Sequence, residues 1–250
     1  MNAEESFFIP DWPLPDGVRA LITTRQGGVS QGAFAGFNLA THVGDAPELV
    51  AQNRARLSAK IQATPVWLNQ VHGTRVVDAA LFSGAGLPPD ADAAFSRQAG
   101  HACLVMSADC LSVLFCAQAG NVVAAAHAGW RGLLAGVLEN TVKAMGVPGT
   151  SISAYLGPAI GPRAFTVGDE VYRAFVAQNE LAQAAFVPAS SSGTRWRADL
   201  YQLARQRLAA LGMTSIYGGK FCSFTEGERF FSYRRDAQTG RMASLIWRAV

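Results

Sequence analysis

Two short apolar runs, separated by one turn and followed by a histidine, constrain the fold of this chain more than any other feature. The runs are Leu111–Cys116 and Val122–Ala126, and the turn between them is Gln118–Asn121. Short apolar runs with β-branched residues and flanking turn signals predict buried strands. If the two strands pair as a hairpin, Cys110 before the first and His127 after the second lie at the same end.

The residues after His127 form a candidate anion-binding segment. A glycine-rich turn that contains Arg131 leads into a helical pattern with apolar residues on one face from Leu133 to Met145. A strand, a glycine-rich turn and a helix in this order favour anion binding, because backbone N–H groups point outward there. Since Asp109 precedes Cys110, the sequence predicts a site at which a thiol, an imidazole, a carboxylate and a guanidinium converge.

The composition is that of a globular protein and excludes several function classes. The 250 residues carry a net charge of +3 and no basic run of five or more, which argues against a nucleic-acid partner. No stretch approaches the roughly 20 apolar residues of a membrane span, and a signal-peptide pattern is missing. Four cysteines without a secretory signal predict reduced thiols and a cytoplasmic protein.

The order of elements mixes adjacent strands with strand–helix–strand units. This mixture favours an α+β fold, with mixed β-sheets layered with helices, over a regular doubly wound sheet. We expect one compact domain over residues 1–250. Two further pairings are predicted from apolar runs: Pro65–Val71 with Thr74–Ala79, and a terminal hairpin of Arg229–Tyr233 with Met242–Trp247.

Three side chains form a candidate metal centre. His72, Cys110 and His127 each lie at the end of a predicted strand, beside a small residue that leaves room for a ligand. Two imidazoles and a thiolate are a three-ligand catalytic zinc pattern, with a fourth position open for water or substrate. The spacings of 38 and 17 residues are not a short ligand motif, so the residues alone leave other chemistries open.

Two alternatives use the same residues. Cys110 as a nucleophile, His127 as its base and Asp109 as the orienting group would make a thiol hydrolase or amidase. A blue-copper centre also uses two histidines and a cysteine. A multicopper oxidase needs a further histidine-rich cluster, which the chain's four histidines cannot supply.

A second glycine-rich turn lies near the amino terminus. Arg25 is followed closely by Gly27 and Gly28, but the Gly-Lys-Ser/Thr ending of a phosphate-binding P-loop is missing. A tight structural turn is one interpretation. The other is that Arg25, beside two glycines, holds an anionic group.

Several motifs along the chain resemble those of the YfiH family, whose members are also labelled laccase-domain proteins, polyphenol oxidases or peptidoglycan editing factors. The resemblance covers nearly the whole chain in order, and it rests on Thr24–Ser30, Asn69–Gly73, Ser107–Cys110, His127–Gly132, Gly157–Pro162 and the tail Phe230–Ser244. Ser112 departs from the family pattern, which has proline there. We expect this departure to change local stiffness more than chemistry.

The resemblance implies an α+β fold with Zn²⁺, or alternatively Cu²⁺, held by His72, Cys110 and His127. It implies a purine nucleoside phosphorylase that acts on adenosine, guanosine, inosine and S-methyl-5′-thioadenosine, with adenosine deamination as a second activity. Its partners would be small purine nucleosides and phosphate, with no nucleic acid and no membrane, in a monomer or homodimer. The family labels also imply two alternatives, a hydrolase that edits peptidoglycan precursors and a copper-dependent phenol oxidase.

The candidate residues fit that chemistry. An open metal position supplies the activated water that deamination needs. Arg131, with Arg25 as a second clamp, is the predicted phosphate ligand. Asp109 is predicted to orient a ligand or to act as an acid or base.

Overall fold

Fourteen strands and six α-helices make up the part of the chain that the computed structural model describes, residues 6–82, 86–189 and 194–250. The strands are β1 Phe7–Phe8, β2 Val18–Thr23, β3 Thr64–Val66, β4 Val76–Asp78, β5 Ala93–Ser96, β6 His101–Ser107, β7 Leu111–Ala117, β8 Val123–Ala128, β9 Ile152–Leu156, β10 Thr166–Gly168, β11 Phe186–Pro188, β12 Arg195–Ala198, β13 Ser215–Gly218 and β14 Met242–Arg248.

The α-helices are α1 Pro47–Ile61, α2 Trp130–Ala135, α3 Val137–Met145, α4 Asp169–Gln178, α5 Leu200–Ala210 and α6 Tyr233–Asp236. Short 3-10 turns cover Gly32–Phe34, Ala79–Leu81, Gly149–Ser151 and Glu180–Ala185. Among the helices in the described ranges, none combines the length and the apolar character needed to cross a bilayer.

The strands form three sheets. A five-stranded sheet has the order β1-β2-β14-β6-β3, a six-stranded sheet has the order β13-β9-β7-β8-β5-β4, and β10-β12-β11 form a small third sheet. The pairs β3–β6, β4–β5 and β9–β13 are parallel, and the other pairs are antiparallel. Mixed sheets layered with helices confirm the predicted α+β class.

Three cores set the order of the layers. Leu57 on α1 packs with Leu104 on one face of the five-stranded sheet. The other face of that sheet packs against the six-stranded sheet, where Ile22 shares a core with Leu114. The outer face of the six-stranded sheet packs against α3, α4 and α5, with Phe115 at its centre. The layers therefore run helix, sheet, sheet, helices.

The predicted hairpin at the centre of the chain is confirmed. β7 and β8 pair antiparallel, with Ser112 opposite His127. Both faces of β7 are buried, since Val113 faces the helices and Leu114 faces the other sheet, which explains its uninterrupted apolar sequence. The connection 108–110 carries the chain from the five-stranded sheet to the six-stranded one. Cys110 and His127 thus lie at the same end of the hairpin.

The helix after the hairpin is two helices. Gly136 has a φ of +98°, in the left-handed region, and it separates α2 from α3. A left-handed residue cannot continue a right-handed helix, and glycine adopts that conformation at the lowest cost. Arg131 therefore lies in the first turn of a six-residue helix, and not in a turn that precedes one continuous helix to Met145.

Two predicted strand pairings are wrong. β3 joins the five-stranded sheet while β4 joins the six-stranded sheet. The predicted strands Pro65–Val71 and Thr74–Ala79 therefore do not pair with each other. In the tail, β14 pairs with β2 and β6, and the expected partner segment Arg229–Tyr233 forms no strand. Long-range pairing with buried strands outcompetes the local hairpin because it places β14 between two apolar faces.

Candidate metal centre

Three donor atoms converge at the end of the β7–β8 hairpin. The ligating atoms of His72, Cys110 and His127 all lie within 4.8 Å of one another. The Sγ atom of Cys110 is 3.8 Å from Nε2 of His72, and the two imidazole rings have centroids 4.9 Å apart. His127 is in β8, Cys110 ends the connection between the sheets, and His72 follows β3. The structure therefore brings together all three sequence-predicted ligands.

The donor set fits a metal ion. A tetrahedral ion with nitrogen and sulfur ligands at about 2.0–2.3 Å places those ligand atoms roughly 3.6 Å apart. The 3.8 Å separation of Cys110 Sγ from His72 Nε2 is close to that value. Two imidazoles and one thiolate suit zinc or copper better than a hard cation such as magnesium. This is the one group of three such donors in the described ranges.

Cys110 and His127 perturb each other's protonation. Burial raises the pKa of the Cys110 thiol, but the positive charge and hydrogen bonds of His127 and His72 outweigh that effect and lower the pKa to about 6. Burial lowers the pKa of His127, while the Cys110 thiolate and the Asp92 carboxylate more than compensate and raise it to about 9. Near neutral pH the metal-free site therefore favours a thiolate beside an imidazolium.

Asp92 is a site residue that sequence reasoning missed. Its buried carboxylate accepts a hydrogen bond from Nδ1 of His127 at 2.8 Å. The same carboxylate accepts backbone N–H bonds from Val71 at 3.1 Å, His72 at 3.0 Å and Gly73 at 2.7 Å. The available signal was a single acidic residue between alanines at the start of the apolar strand β5.

Two site residues have backbone conformations that are uncommon for their type. His72 has a φ of +59° and Asp109 a φ of +95°. Non-glycine residues with positive φ store strain and persist only where surrounding contacts fix them. Both residues occur in connections that present side chains to the same cavity. Two of the four non-glycine residues with positive φ in the described ranges therefore lie at the candidate site.

Both oxygens of the Asp109 carboxylate accept a hydrogen bond. Oδ1 accepts a hydrogen bond from the Ser223 hydroxyl at 2.6 Å, and Oδ2 accepts one from the Arg234 backbone N–H at 2.7 Å. Asp109 is buried, at 7% exposure. It therefore fixes the tail segment that carries Arg234 against the connection that carries Cys110.

A cavity of about 390 Å³ opens beside the three donors. Its cationic lining comes from Arg131, Arg234 and Arg241. Its aromatic lining comes from Trp130, Phe165 and Tyr233. The cavity therefore combines a metal-ligand set, flat apolar surfaces and an excess of positive charge.

Of the two predicted phosphate ligands, Arg131 lies at the cavity and Arg25 does not. Arg131 lines the cavity, is exposed, and stacks over the Trp130 ring at 4.4 Å. Arg25 is not among the cavity-lining residues. Its guanidinium donates to the Gly227 carbonyl at 3.0 Å and stacks over Phe231 at 4.9 Å.

Two of the three cavity arginines and one of its aromatic residues were missed at the sequence level because they come from the tail. Tyr233, Arg234 and Arg241 lie in the region predicted to be a hairpin. That prediction did not indicate which residues their side chains would contact. The structure instead folds the tail across the end of the sheets and brings these residues to the cavity. Gln70 lines the cavity too, and its side-chain amide is fixed by two hydrogen bonds to the backbone of Met106.

Comparisons with known proteins agree over almost the full length of the chain. A family model described as multi-copper polyphenol oxidoreductase laccase matches residues 19–249. A Pseudomonas aeruginosa protein named as a purine nucleoside phosphorylase is 54% identical over 247 residues, covering 99% of both chains. The Escherichia coli protein named purine nucleoside phosphorylase YfiH is 54% identical over 241 residues, covering 96% of this chain and 97% of its own.

The fold is also that of solved structures. A Neisseria meningitidis protein superposes with a TM-score of 0.95 at 52% identity, covering 98% of this chain and 100% of that one. This likeness confirms the single α+β domain. Because the family model and the relatives both match nearly the whole sequence, the chain belongs to the YfiH family of laccase-domain proteins.

Proposed function

We propose that this chain is a zinc-dependent purine nucleoside phosphorylase that acts on adenosine, guanosine, inosine and S-methyl-5′-thioadenosine, with adenosine deamination as a second activity. The observation that carries the proposal is one cavity shared by the three metal ligands, three arginines and three aromatic side chains. Relatives that are named purine nucleoside phosphorylases at 54% identity support it.

The cavity suits a purine nucleoside in size and chemistry. Its volume of about 390 Å³ is in the range of small-ligand sites, which are about 300–1,000 Å³. Trp130 and Phe165 supply flat apolar surface against which a planar base can pack, beside the guanidinium groups of Arg131 and Arg234 that lie over their rings. We assign the base to these aromatic side chains and the ribose to the side nearer Cys110.

The charge of the cavity supports a phosphate co-substrate. Arg131, Arg234 and Arg241 face one carboxylate, Asp109, whose two oxygens already accept hydrogen bonds. An unneutralised cationic lining attracts an oxyanion, and guanidinium groups bind phosphate with paired hydrogen bonds. We assign phosphate to Arg131. Arg25 as a second clamp stays a prediction, because its guanidinium contacts Gly227 and Phe231.

His72, Cys110 and His127 would hold the zinc ion, with copper as the alternative ion. When bound, the metal supplies a Lewis acid and an activated water for deamination. In phosphorolysis, a phosphate oxygen forms a bond to C1′ of the ribose while the bond from C1′ to the base nitrogen breaks. The departing base takes up a proton, which is balanced by the proton that hydrogen phosphate loses as its oxygen bonds to C1′, and the products are a free purine and ribose 1-phosphate.

The chain's own residues position these reactants. Arg131 would hold the phosphate against C1′ and offset its charge as the new bond forms. We propose that Asp109 acts in this site by fixing Arg234, since its two oxygens accept hydrogen bonds from the Ser223 hydroxyl and from the Arg234 backbone N–H. Cys110 can bind zinc only as a reduced thiolate, so we place the activity in the reducing cytoplasm. We propose that the protein acts as a monomer or homodimer.

A second candidate function rests on the thiolate–imidazolium pair. Cys110 beside His127 is also the arrangement of a cysteine hydrolase. The family resemblance would make such an enzyme a peptidoglycan-precursor editing hydrolase. Copper-dependent phenol oxidation is the third candidate, supported by the description of the matching family model. A hydrolase consumes water alone, so dependence on phosphate separates the first two candidates.

To test this proposal, zinc-loaded protein is incubated with adenosine in the presence and absence of phosphate, and the products are identified. We expect adenine and ribose 1-phosphate only when phosphate is present, inosine as a slower product, and loss of both activities in Cys110→Ala. Adenine release that is independent of phosphate, or no turnover of any purine nucleoside, would contradict the proposal.

A further inference from the structure

We infer that Asp92 is the positioning residue of the metal centre, setting one histidine through its ring and the other through its backbone. The inference rests on the metal-holding part of the proposed function, and it is independent of the reaction carried out there. Asp92 is fully buried, at 0% exposure, and its carboxylate joins two segments that are otherwise far apart in the chain.

The first contact selects the ligating atom of His127. The Asp92 Oδ1 atom lies 2.8 Å from Nδ1 of His127, and the Asp92 carbonyl accepts the His127 backbone N–H at 2.7 Å. A carboxylate that accepts from Nδ1 fixes the proton on that nitrogen and leaves Nε2 as the donor to a metal. With a metal on Nε2, the ring would therefore be held in one tautomer and one orientation.

The second set of contacts holds His72. Three successive backbone N–H groups, those of Val71, His72 and Gly73, donate to the two oxygens of Asp92. Such a concave run of N–H groups is an anion nest, and here its anion is a carboxylate of the same chain. It stabilises His72 at a φ of +59°, a conformation that histidine rarely adopts.

One carboxylate therefore controls the geometry of two ligands. Without it, His127 is free to rotate or change tautomer, and the segment around His72 can relax to a negative φ. Both changes would move nitrogen donors away from the Cys110 thiolate. Partners that orient metal ligands typically contribute 10- to 100-fold in metal affinity, so we expect Asp92→Asn to weaken binding by about that factor.

The test compares Asp92→Asn with Asp90→Asn by metal competition against a chelator. Asp90 lies on the same segment and accepts a bond from Asn69, but it has no hydrogen bond to either histidine. Cobalt serves as the spectroscopic probe, since its absorption bands report the number and geometry of thiolate and imidazole ligands. We expect weaker metal binding and an altered cobalt spectrum in Asp92→Asn, and wild-type values in Asp90→Asn.

A purely structural effect has a different signature. Met145→Ala removes a buried side chain from α3 and lowers stability without touching the donors, so it should leave the cobalt spectrum unchanged. Wild-type affinity and spectrum in Asp92→Asn would overturn the inference. So would a loss of affinity in Met145→Ala equal to that in Asp92→Asn.

A measurement on the wild-type protein covers the case in which Asp92→Asn does not fold. Long-range proton–nitrogen NMR spectra of the zinc-loaded protein assign the proton and the metal to the two ring nitrogens of each histidine. We expect His127 to carry its proton on Nδ1 and the metal on Nε2. Metal on Nδ1 of His127 would overturn the inference, whatever the catalytic activity.

Discussion

The neighbours of Cys110 set the pKa of its thiol. Burial alone would keep the thiol protonated, as it does for Cys116, whose pKa is raised to about 12. The charges of His127 and His72 reverse this tendency for Cys110. The same pairing raises the pKa of His127, so the metal-free site favours a thiolate beside an imidazolium. A bound metal ion would replace the imidazolium proton as the positive charge beside the thiolate.

This pairing predicts the pH dependence of thiol alkylation in the metal-free protein. The pKa of Cys110 is lowered to about 6, so its thiolate is present above that pH and is lost as the pH falls through it. We expect the alkylation rate of Cys110 by iodoacetamide to be half-maximal near pH 6, measured by mass spectrometry. A midpoint near the ordinary thiol value of about 8.5 would contradict the electrostatic account.

Gly129 gives a steric test of the ligand geometry. A Cβ atom at this position would lie 2.9 Å from Sγ of Cys110 and 3.0 Å from Cδ2 of His72. The backbone φ of −59° tolerates alanine, so the effect of Gly129→Ala should fall on the donors and not on the fold. We expect zinc affinity to fall at least about 10-fold, the range seen when ligand positioning is lost, while the free energy of unfolding changes by less than about 1 kcal/mol.

Gly73→Ala is the matched control for Gly129→Ala. Its Cβ would meet the nearest atoms, in Asp92 and Val71, at 3.5 Å, an ordinary contact. The substitution keeps the backbone N–H that Asp92 accepts. Zinc affinity near the wild-type value is expected by titration, and equal losses in both variants would show that the close approach at Gly129 is not the cause.

At the level of elements, the β7–β8 hairpin is the part of the site that local sequence determines. Apolar runs, one turn and a histidine in register were enough to place Cys110 and His127 together, and the register of Ser112 opposite His127 shows why. Ser112 itself lies within β7, where its hydroxyl is 2.7 Å from that of Ser244. The family's proline position is thus in a strand rather than a loop.

Replacing the glycine that separates α2 from α3 should lower the stability of the fold. Gly136 has a φ of +98°, and a side chain in the left-handed region costs roughly 1–2 kcal/mol. We expect Gly136→Ala to lower the free energy of unfolding by that amount, measured by urea denaturation. An unchanged or higher stability would show that the chain can continue as one helix through this position.

For the molecule as a whole, the elements with strong local signals were predictable and the assembly of the tail was not. The α+β class, the central strands and the three candidate metal ligands followed from apolar runs and from small residues beside histidine and cysteine. Arg234 and Arg241 reach the cavity only because β14 inserts between β2 and β6, a pairing of residues more than 100 positions apart. Asp92 was missed for the same reason, since its partners come from two distant segments.

The number of candidate metal ligands limits how many copper ions this chain can bind, and so tests the laccase description of its family. The chain has four histidines, and the described ranges contain one group of three His, Cys, Asp or Glu donors. A multicopper oxidase needs several copper ions in addition to a blue-copper centre, so we expect at most one tightly bound copper per chain. Elemental analysis of the copper-loaded protein checks this, and three or more copper ions per chain would contradict it.

The central claim is that His72, Cys110 and His127 hold the metal on which nucleoside phosphorolysis depends. The most direct measurement titrates metal-free protein with zinc while following ribose 1-phosphate from adenosine at fixed phosphate. We predict that activity rises to a plateau at one zinc per chain and that Cys110→Ala shows no such rise. Full activity in the metal-free protein, or a zinc-dependent rise that survives Cys110→Ala, would contradict this account.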